Sequence, residues 1–521
     1  MRNFVLKHAA AVSGVLSGFD RIVFRGSLRN IAYSAGMDRY LSLRHILYKD
    51  AAAHFEAVTK QVRAFTISQA KALKRPIVYQ VSSKRSKEEE AISIANRDGI
   101  KEGLIGILSS VEPCDSYQIY RNAKTRHLEL RPHRRKCLHY YHYYLHPEFG
   151  LMHVRLQTWF PFNIQICING REWLARKMDS VGLKYKKSDN CFTWLEDAAA
   201  AQSLANEQLK SDWPFLLEGF AKQVNPLLDG GFGNFETKYY WTAHQTEWAT
   251  DVMFKSPADL SALFPPLVRH GMMTFKSPDV LRFLGRKVSP EGRVSGVLPE
   301  AITTSMRDRA EGMRIKHWVG FNSVKMYDKD GRVLRVEVTI NDARGFRVFR
   351  PKEGGDEEHK AWRQMRKGVA DMHRRAEVSQ ACNERYLDAL AEVKNEQSLD
   401  KCLADLSRPT QLNGRRVRGL NVFAEDGEVL AELAAGCHTL NGFRNRDLQA
   451  SLYRDEADTQ KERRKRSGKV TRILRMLRAH GLIKKVPRSQ RYHLTVKGRT
   501  AVIALAAAKQ SSVNKLSTIA V

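Results

Sequence analysis

The stretch RRKRSGKVTRILRMLRAHGLIKKVPRSQRYHLTVKGR, residues 463–499, joins a helical pattern to a hairpin pattern. The apolar residues that recur at the spacing of one helix face are Val470, Ile473, Leu474 and Leu477. Gly481 then supplies the left-handed cap that ends a helix. The runs LIKKV and RYHLTV predict two short strands around an exposed turn at residues 487–490. The stretch therefore predicts one long helix followed by a β-hairpin.

The polar side of this helix and the hairpin carry charge of one sign. Between Lys461 and Thr500 there are fifteen Lys or Arg residues and one acid, Glu462. A basic helix followed by a basic hairpin is suited to placing one element in a DNA groove and the other along the phosphates. The predicted DNA-binding residues are Lys465, Lys469, Arg472, Arg475, Arg488 and Arg491. The alternative is a module of the same fold that contacts only proteins.

The residues before this helix complete a winged helix-turn-helix pattern. In HTLNGFRNRDLQASLY, residues 438–453, Asn445 is a candidate helix N-cap, and Leu448 and Leu452 would face inward. The order of elements and the run RAHGLIKKVPRSQRYHLTVKG resemble winged-helix repressors of the MarR kind, over about a fifth of the chain. The resemblance implies that this part of the chain binds double-stranded DNA.

The whole chain has the same excess of positive charge. Its 521 residues include 87 Lys and Arg against 56 Asp and Glu, a net charge of +31 that attracts polyanions, although solvated basic faces are also common. Its hydrophobic content of 43% indicates a globular protein. The seven cysteines contain no CxxC pair, which fits a reducing compartment. Because no run of about 18 apolar residues exists, we expect a cytoplasmic protein with no membrane partner.

The order of patterns along the chain predicts an α/β fold of the mixed α+β kind. Up to residue 130, strands alternate with helices, which favours partly parallel pairing. Short alternating runs then predict antiparallel strands, mixed with helices. A polar segment, PKEGGDEEH at 351–359, predicts a linker before a long amphipathic helix. The predicted domains are an N-terminal α/β domain (1–130), a mixed sheet and helix core (131–350), a helical connector (351–419) and the winged helix-turn-helix (420–521).

A candidate catalytic segment is VKMYDKDGRVLRVEVTI, residues 324–340. Asp330-Gly331 is a strong hairpin turn. The alternate residues that form the predicted buried face are Leu334, Val336, Val338 and Ile340. The remaining polar residues of the hairpin are then the candidates for a chemical role.

The register of this hairpin determines which polar residues share a face. A two-residue turn would place Tyr327 on the face opposite Arg335 and Glu337. A three-residue loop over 329–331 would place these three residues, with Lys325, on one face. We favour the three-residue loop, because an aromatic ring, two cations and a carboxylate then share an open surface.

That cluster has a chemical interpretation. A tyrosine hydroxyl can attack a phosphodiester when a cation or metal stabilises the phosphate charge. Tyr327 is therefore the candidate nucleophile, Arg335 the candidate phosphate-binding cation, and Glu337 a candidate ligand for Mg²⁺ or Mn²⁺. The alternative is an ordinary hairpin whose tyrosine packs and whose Arg and Glu pair across solvent.

The longer run RIKHWVGFNSVKMYDKDGRVLRVEV, residues 314–338, resembles the lysine–tyrosine–Asp-Lys hairpin of rolling-circle replication initiators of phages and plasmids. The resemblance maps Tyr327, Lys329, Arg335 and Glu337 onto the family pattern, and it implies DNA nicking through tyrosine. The His-hydrophobe-His metal motif common among such nickases is absent as a tight triplet.

A second cluster, KCLHYYHYYLHPEFGLMH at 136–153, interleaves four histidines with four tyrosines. Exposed, it would offer a stacking surface for unpaired bases. As metal ligands, His142 and His146 would lie about 13 Å apart along a strand, too far for one ion. A half-buried tyrosine-rich strand is the favoured interpretation.

Acids near strand ends form a third candidate. Such acids hold two metal ions in RNase H-like nucleases and transposases. Asp20, beside the strand RIVF, is the best of them, followed by Glu112, Asp115 and Glu148. Solvated turn residues are the alternative interpretation.

Together these patterns predict a DNA-binding protein of a mobile or replicating element that processes DNA, as a replication initiator, nickase or transposase-like enzyme. Size favours this, because a winged-helix repressor needs only about 150 residues. One alternative is a non-catalytic winged-helix transcriptional regulator whose N-terminal region senses a ligand or oligomerises. Another is an RNA-binding protein. The expected partner is double-stranded DNA, with single-stranded DNA or RNA as alternatives.

Overall fold

The computed structural model describes residues 1–81, 86–286, 288, 302–309, 312–352, 354–355, 358–391, 399–434, 442–453, 455, 457–486 and 489–510. It has the mixed α+β fold that the sequence predicts. Among the helices in these ranges, none combines the length and apolar character that a membrane crossing needs.

The α-helices are α1 (Arg2–Lys7), α2 (Ser34–Leu43), α3 (Ala51–Ala72), α4 (Lys87–Arg97), α5 (Gly170–Ser180), α6 (Ala198–Glu207), α7 (Trp213–Val224), α8 (Pro257–Met273), α9 (Ser277–Phe283), α10 (Met372–Ala391), α11 (Leu399–Ser407), α12 (Gly427–Ala434), α13 (Asn445–Leu452), α14 (Gln460–Ala479) and α15 (Val496–Gln510).

The strands are β1 (Val12–Leu28), β2 (Ile77–Tyr79), β3 (Gly103–Arg121), β4 (Leu128–His146), β5 (Gly150–Gln157), β6 (Ile164–Asn169), β7 (Tyr185–Ser188), β8 (Cys191–Leu195), β9 (Tyr239–Phe254), β10 (Ile302–Arg309), β11 (Gly312–Val319), β12 (Asn322–Lys329), β13 (Val333–Ile340), β14 (Arg347–Arg350), β15 (Ala361–Gln364), β16 (Thr410–Leu412), β17 (Arg415–Val417), β18 (Phe443–Arg444), β19 (Ile483–Lys485) and β20 (Arg491–Leu494).

The chain divides into two compact units. The sheet unit comprises Gly14–Asp251 and Glu337–Gln380. The C-terminal unit comprises Met1–Ser13, Val252–Val336 and Ala381–Val521.

A long, mostly antiparallel sheet forms the sheet unit. Its strands follow the order β13-β9-β1-β6-β5-β4-β3-β2, with only the second half of β13 in this unit. The short strand β2 pairs in parallel with β3, whereas β3 pairs antiparallel with β4. The expected parallel pairing is therefore present at one edge. Strands β3 to β6 are antiparallel because hairpins, rather than helical crossovers, join each of them to the next.

The helices of this unit cover both faces of the sheet near that edge. Ala91 and Ile94 of α4 pack with Ile105 and Leu108 of β3. Ala70, on α3, belongs to a separate cluster with Ile107. The predicted domain boundary at residue 130 falls inside β4, which continues the β3 hairpin from Leu128 onward. The composition shift there reflects two long strands and not the start of a new domain.

The predicted linker and connector also differ from the structure. Residues 351–359 follow β14 directly, and β14 pairs antiparallel with β15, so this polar segment is part of a hairpin connection. The predicted long helix begins at Met372 and not near residue 361, because residues 361–364 form β15. Residues 361–364 form a strand because they pair with β14, and this tertiary pairing outweighs their local helical pattern.

In the C-terminal unit, strands β10, β11, β12 and the first half of β13 are neighbours in that order. His317 on β11 is fully buried in an aromatic cluster with Phe275 and Tyr386. Its imidazole is hydrogen-bonded to the hydroxyl groups of Thr304 (2.7 Å) and Tyr386 (3.3 Å). This polar group is buried with its hydrogen bonds made, as a stable core requires.

The C-terminal module, residues 427–510, contains the elements predicted from its sequence. Helices α12 to α15 surround a small sheet of order β18-β20-β19. The predicted apolar stripe of α14 is confirmed, since Val470, Leu474 and Leu477 are buried and Ile473 packs against the same core. Gly481 follows α14 with φ of 70°, the expected left-handed cap.

One detail of this module is corrected. The N-cap of α13 is Arg444, and Asn445 is the first helical residue. Asp447 accepts a hydrogen bond from the Arg444 backbone amide (2.8 Å), which fixes the start of the helix one residue earlier.

Candidate functional site

Three carboxylates from neighbouring strands meet in the sheet unit. Asp20 lies on β1, Glu247 on β9 and Glu337 on β13, and these strands are adjacent in the order β13-β9-β1. One carboxylate oxygen from each lies within 4.8 Å of the others. Asp20 and Glu337 are buried, and Glu247 is half-buried. We call these three residues the acidic triad.

Asp20 is fixed by a neighbouring amide. Nδ2 of Asn190, in the connection between β7 and β8, donates to both carboxylate oxygens of Asp20, each at 2.8 Å. Because one amide spans both oxygens, the plane of the carboxylate is defined. The small β7–β8 hairpin therefore positions one member of the triad.

Glu247 stands beside a rigid part of β9. Nε2 of Gln245 donates to Oε1 of Glu247 at 3.0 Å. The next residue, Trp248, is buried edge-on to Phe19 at 4.9 Å between ring centroids, and its Nε1 donates to Gln380. Phe19 itself precedes Asp20, so packed aromatic rings hold both strands next to the triad. Such support preserves the geometry of a functional site.

A cation accompanies the triad. Nε of Arg21 donates to Sγ of Cys167 at 3.2 Å. Cys167, and to a smaller extent Glu247, raise the pKa of the Arg21 guanidinium against the effect of burial. Arg21 therefore stays charged within electrostatic reach of Glu247.

The composition of the triad fits a divalent cation. Carboxylates this close repel one another, and burial adds a desolvation cost to each charge. Mg²⁺ and Mn²⁺ prefer oxygen ligands and are held by such carboxylates in enzymes that cleave phosphodiesters. Bound there, an ion would remove the repulsion and supply a Lewis acid at the site.

The structure selects a different acid set from the one that the sequence suggested. Asp20 belongs to the triad, but Glu112, Asp115 and Glu148 do not. Glu112 forms a salt bridge with Arg155 (2.7 Å). Burial raises its pKa, but hydrogen bonds from Ser110 and Tyr141 and the charge of Arg155 outweigh that and lower it to about 2. Glu112 is therefore an ion-pair partner of a neighbouring cation and not a member of the triad.

The tyrosine-rich strand is a core element. His142 is fully buried and His153 is half-buried, and burial lowers their pKa values to about 4 and about 3. Tyr140 and Tyr143 are buried as well. Base stacking on this strand would need exposed rings, so the favoured interpretation, a packed strand, describes it better.

The predicted hairpin forms, but not as an open surface. β12 ends at Lys329 and β13 begins at Val333, with Asp330 and Gly331 at positive φ in the turn between them. Tyr327 is only 7% exposed, and Arg335 is fully buried. The expectation of an open cluster is wrong, because every residue of β13 is buried.

Tyr327 therefore has little access to a DNA phosphate. Its ring packs under the Lys325 ammonium, 5.4 Å from the ring centroid, and its strand partner on β11 is Arg314. Arg335 has no exposed surface with which to hold a phosphate in solution. Of the three residues proposed at this hairpin, Glu337 is the one that belongs to the acidic triad.

The basic residues of the C-terminal module are mostly at the surface. Exposed side chains on α14 are Lys465, Lys469, Arg472 and Arg475, and Arg491 on β20 is half-buried. Arg488 lies outside the described residues. The helix thus presents the predicted cations to solvent.

These cations do not share one environment. Lys465 lines a recess of about 460 Å³ together with Lys461, Arg466 and one acid, Glu462. Arg472 and Arg475 line a separate recess of about 640 Å³ that also contains acids, Glu425, Asp426 and Glu428. The first half of α14 is therefore the more favourable surface for a polyanion. Lys469 borders both recesses.

Comparison with known proteins identifies no relative. No family model, no curated protein and no solved structure matches the chain. The function must therefore be argued from the site itself.

Glu247 is the site residue that sequence reasoning missed. It lies in the run HQTEWATD, whose alternation predicts a strand and hides the acid among core residues. The signal that could have identified Glu247 is its position as an acid inside a predicted buried strand, because burying a charge without a partner is costly.

Proposed function

We propose that this protein is a metal-dependent DNA-processing enzyme that cleaves phosphodiester bonds at the acidic triad and binds duplex DNA through its C-terminal module. It would serve as the replication initiator, nickase or transposase-like enzyme of a mobile or replicating element. The single observation that carries the proposal is the convergence of Asp20, Glu247 and Glu337 from three adjacent strands.

The triad supports phosphodiester chemistry because of its charge and its rigidity. Its oxygens can hold Mg²⁺ or Mn²⁺, which would neutralise charge that builds on a phosphate during cleavage. Arg21 adds a protein cation near Glu247. In hydrolysis, water adds to phosphorus, the bond from phosphorus to one ester oxygen breaks, and that oxygen gains a proton. Burial of Tyr327 favours water over tyrosine as the nucleophile.

The C-terminal module supports DNA binding through its exposed basic helix. Lys465, Lys469 and Arg472 are exposed on α14, and the apolar side of the helix packs in a hydrophobic core. Helices of this kind enter the major groove when a hairpin alongside contacts the backbone. Contacts of Lys and Arg with phosphate would make binding strongly salt-dependent.

The experiment is a cleavage assay on supercoiled plasmid and on labelled single-stranded DNA, with Mg²⁺, Mn²⁺ or EDTA. We expect metal-dependent nicking or linear cleavage by the wild-type protein. Glu337→Gln should reduce the rate at least about 100-fold, because it removes a metal ligand of the reaction. Duplex binding, followed by gel shift, should be unchanged in that variant.

A matched control is Glu207→Gln, which changes an exposed acid at the end of α6. It should cleave like the wild type. DNA binding without cleavage under any metal condition would overturn the enzymatic proposal and favour the non-catalytic regulator. Equal cleavage by Glu337→Gln and the wild type would remove the triad from the mechanism.

A further inference from the structure

The β14–β15 hairpin of the sheet unit exposes two aromatic rings. Phe349 and Trp362 are direct cross-strand partners, and their ring centroids are 5.9 Å apart. Phe349 is 54% exposed and Trp362 is 65% exposed. Exposing a tryptophan and a phenylalanine side by side forgoes several kcal/mol of burial at roughly 1.5–3 kcal/mol per large apolar side chain. Such a pair indicates a binding surface.

The hairpin is firmly anchored beneath these rings. Val348 lies on the opposite face and is buried. The Arg350 guanidinium donates to the backbone carbonyl of Gln364 through Nε (3.0 Å) and Nη2 (2.8 Å), which ties the two strands together. The backbone amide of Met365 also donates to the Phe346 carbonyl (3.0 Å). The aromatic pair is therefore held in place before any ligand arrives.

The surroundings of the rings are strongly basic. A recess of about 570 Å³ at the hairpin is lined by Arg347, Arg350, Lys352, Trp362, Arg363, Gln364 and Arg366. Within the described part of the chain, this lining contains five cations and no acid. Burial and the charge of the neighbouring Arg366 lower the pKa of Arg350, and Asp371 opposes them only in part, so the like charges are close enough to repel one another. A bound polyanion would relieve that repulsion.

We infer that the β14–β15 hairpin binds single-stranded DNA, with unpaired bases stacked on Trp362 and Phe349 and phosphates on the arginines around them. Single strands fit better than a duplex, since bases in a duplex are already stacked and offer no free face to an exposed ring. The inference rests on the proposed function for its choice of DNA, and it names the single-stranded part of the substrate.

The experiment measures binding and not cleavage, so its outcome is independent of the triad. Full-length protein is titrated into a fluorescein-labelled oligothymidine of about 20 nucleotides, longer than a typical single-strand site, and anisotropy is recorded. Trp362→Ala should weaken binding roughly 5- to 150-fold, the loss of about 1–3 kcal/mol of stacking on one base. Trp362→Phe should restore most of the affinity, which separates stacking from misfolding.

Two controls sharpen the result. Phe215→Ala removes a 76% exposed ring from the start of α7 and should leave binding unchanged. Arg347→Gln should lower the slope of log affinity against log salt by about 0.7, the value for one contact with a single strand, whereas the exposed Lys124→Gln should not.

Three results would overturn the inference. The first is unchanged oligothymidine affinity in Trp362→Ala. The second is an equal loss for single strands and for a duplex of the same length, which would indicate a general structural effect. The third is tighter binding of an oligouridine than of the oligothymidine, which would make RNA the ligand.

Discussion

The guanidinium of Arg171 lies 3.1 Å from the carboxylate of Asp251, and both side chains are almost completely buried. Nη2 of Arg171 also donates to the Ala249 carbonyl at 3.0 Å. Asp251 and Glu247 belong to the same strand, and the carboxylate of Glu247 lies within 4.8 Å of the other two carboxylates of the acidic triad. The strand therefore carries one acid of a buried ion pair and one acid of the triad.

Loss of the buried ion pair should destabilise the fold strongly. Arg171→Ala leaves the Asp251 charge buried without its cation, which typically costs about 3–5 kcal/mol. Urea unfolding followed by circular dichroism measures this. Arg97→Ala, which breaks the exposed pair with Asp98, should destabilise the fold far less, because solvent screens that pair. A similar loss of unfolding free energy in Arg171→Ala and Arg97→Ala would contradict the expectation that the buried ion pair stabilises the fold more than the exposed one.

Duplex binding should depend on the first half of α14. Replacing Lys465 and Lys469 by Gln should lower the slope of log affinity against log salt by about 1.8, or 0.9 for each phosphate contact. Arg475→Gln should have a smaller effect, because acids share its recess. Exposed lysines of the sheet unit, Lys124 and Lys184, provide a charge-matched double variant that should not change the slope. An unaltered slope in the α14 variant would argue against DNA binding by this helix.

The tyrosine of the predicted nicking hairpin should be dispensable for chemistry. Tyr327→Phe keeps the packed ring and removes only the hydroxyl, which is buried with the side chain. We expect cleavage at the wild-type rate and no covalent protein–DNA adduct in either protein on denaturing gels. An adduct that forms in the wild type and disappears in Tyr327→Phe would instead establish the tyrosine as the nucleophile.

Acid should destabilise the sheet unit through its buried histidines. Burial lowers the pKa of His142 to about 4, whereas an unfolded histidine titrates near 6.5. Between these values the unfolded chain binds the proton and the folded chain does not, so stability falls as pH decreases from 6.5 to 4. The loss from His142 amounts to at most about 3 kcal/mol.

Urea unfolding at several pH values tests this, with His142→Leu as the variant. Its free energy of unfolding should fall less steeply than that of the wild type between pH 6.5 and 4. His133→Gln, which changes an exposed histidine of the same strand, should follow the wild type. If the free energy of unfolding of His142→Leu fell with pH as steeply as that of the wild type, His142 would not be the source of the acid sensitivity.

The sequence predicted those elements whose pattern is local. The stripe of α14, its glycine cap and the strands after it need only neighbouring residues, and all of them are present. Polar composition could not distinguish a linker from a hairpin connection at 351–359, because both are solvated. Only the pairing of β14 with β15 decides between them.

The candidate site was predictable only in part. Asp20 and Glu337 stood out as acids in strand-like segments, but nothing local showed that they would meet. Their convergence with Glu247 depends on β9 lying between β1 and β13, a long-range pairing. Burial of Tyr327 likewise depends on contacts with residues distant in sequence, which the hairpin pattern does not reveal.

The central claim is that Asp20, Glu247 and Glu337 hold a divalent cation. Isothermal titration of Mn²⁺ into the wild-type protein, Glu247→Gln and the exposed-acid control Glu207→Gln tests it most directly. We predict a saturable site in the wild type and the control, and an affinity at least about tenfold weaker in Glu247→Gln. Absence of binding by the wild type, or equal binding by all three proteins, would contradict the claim.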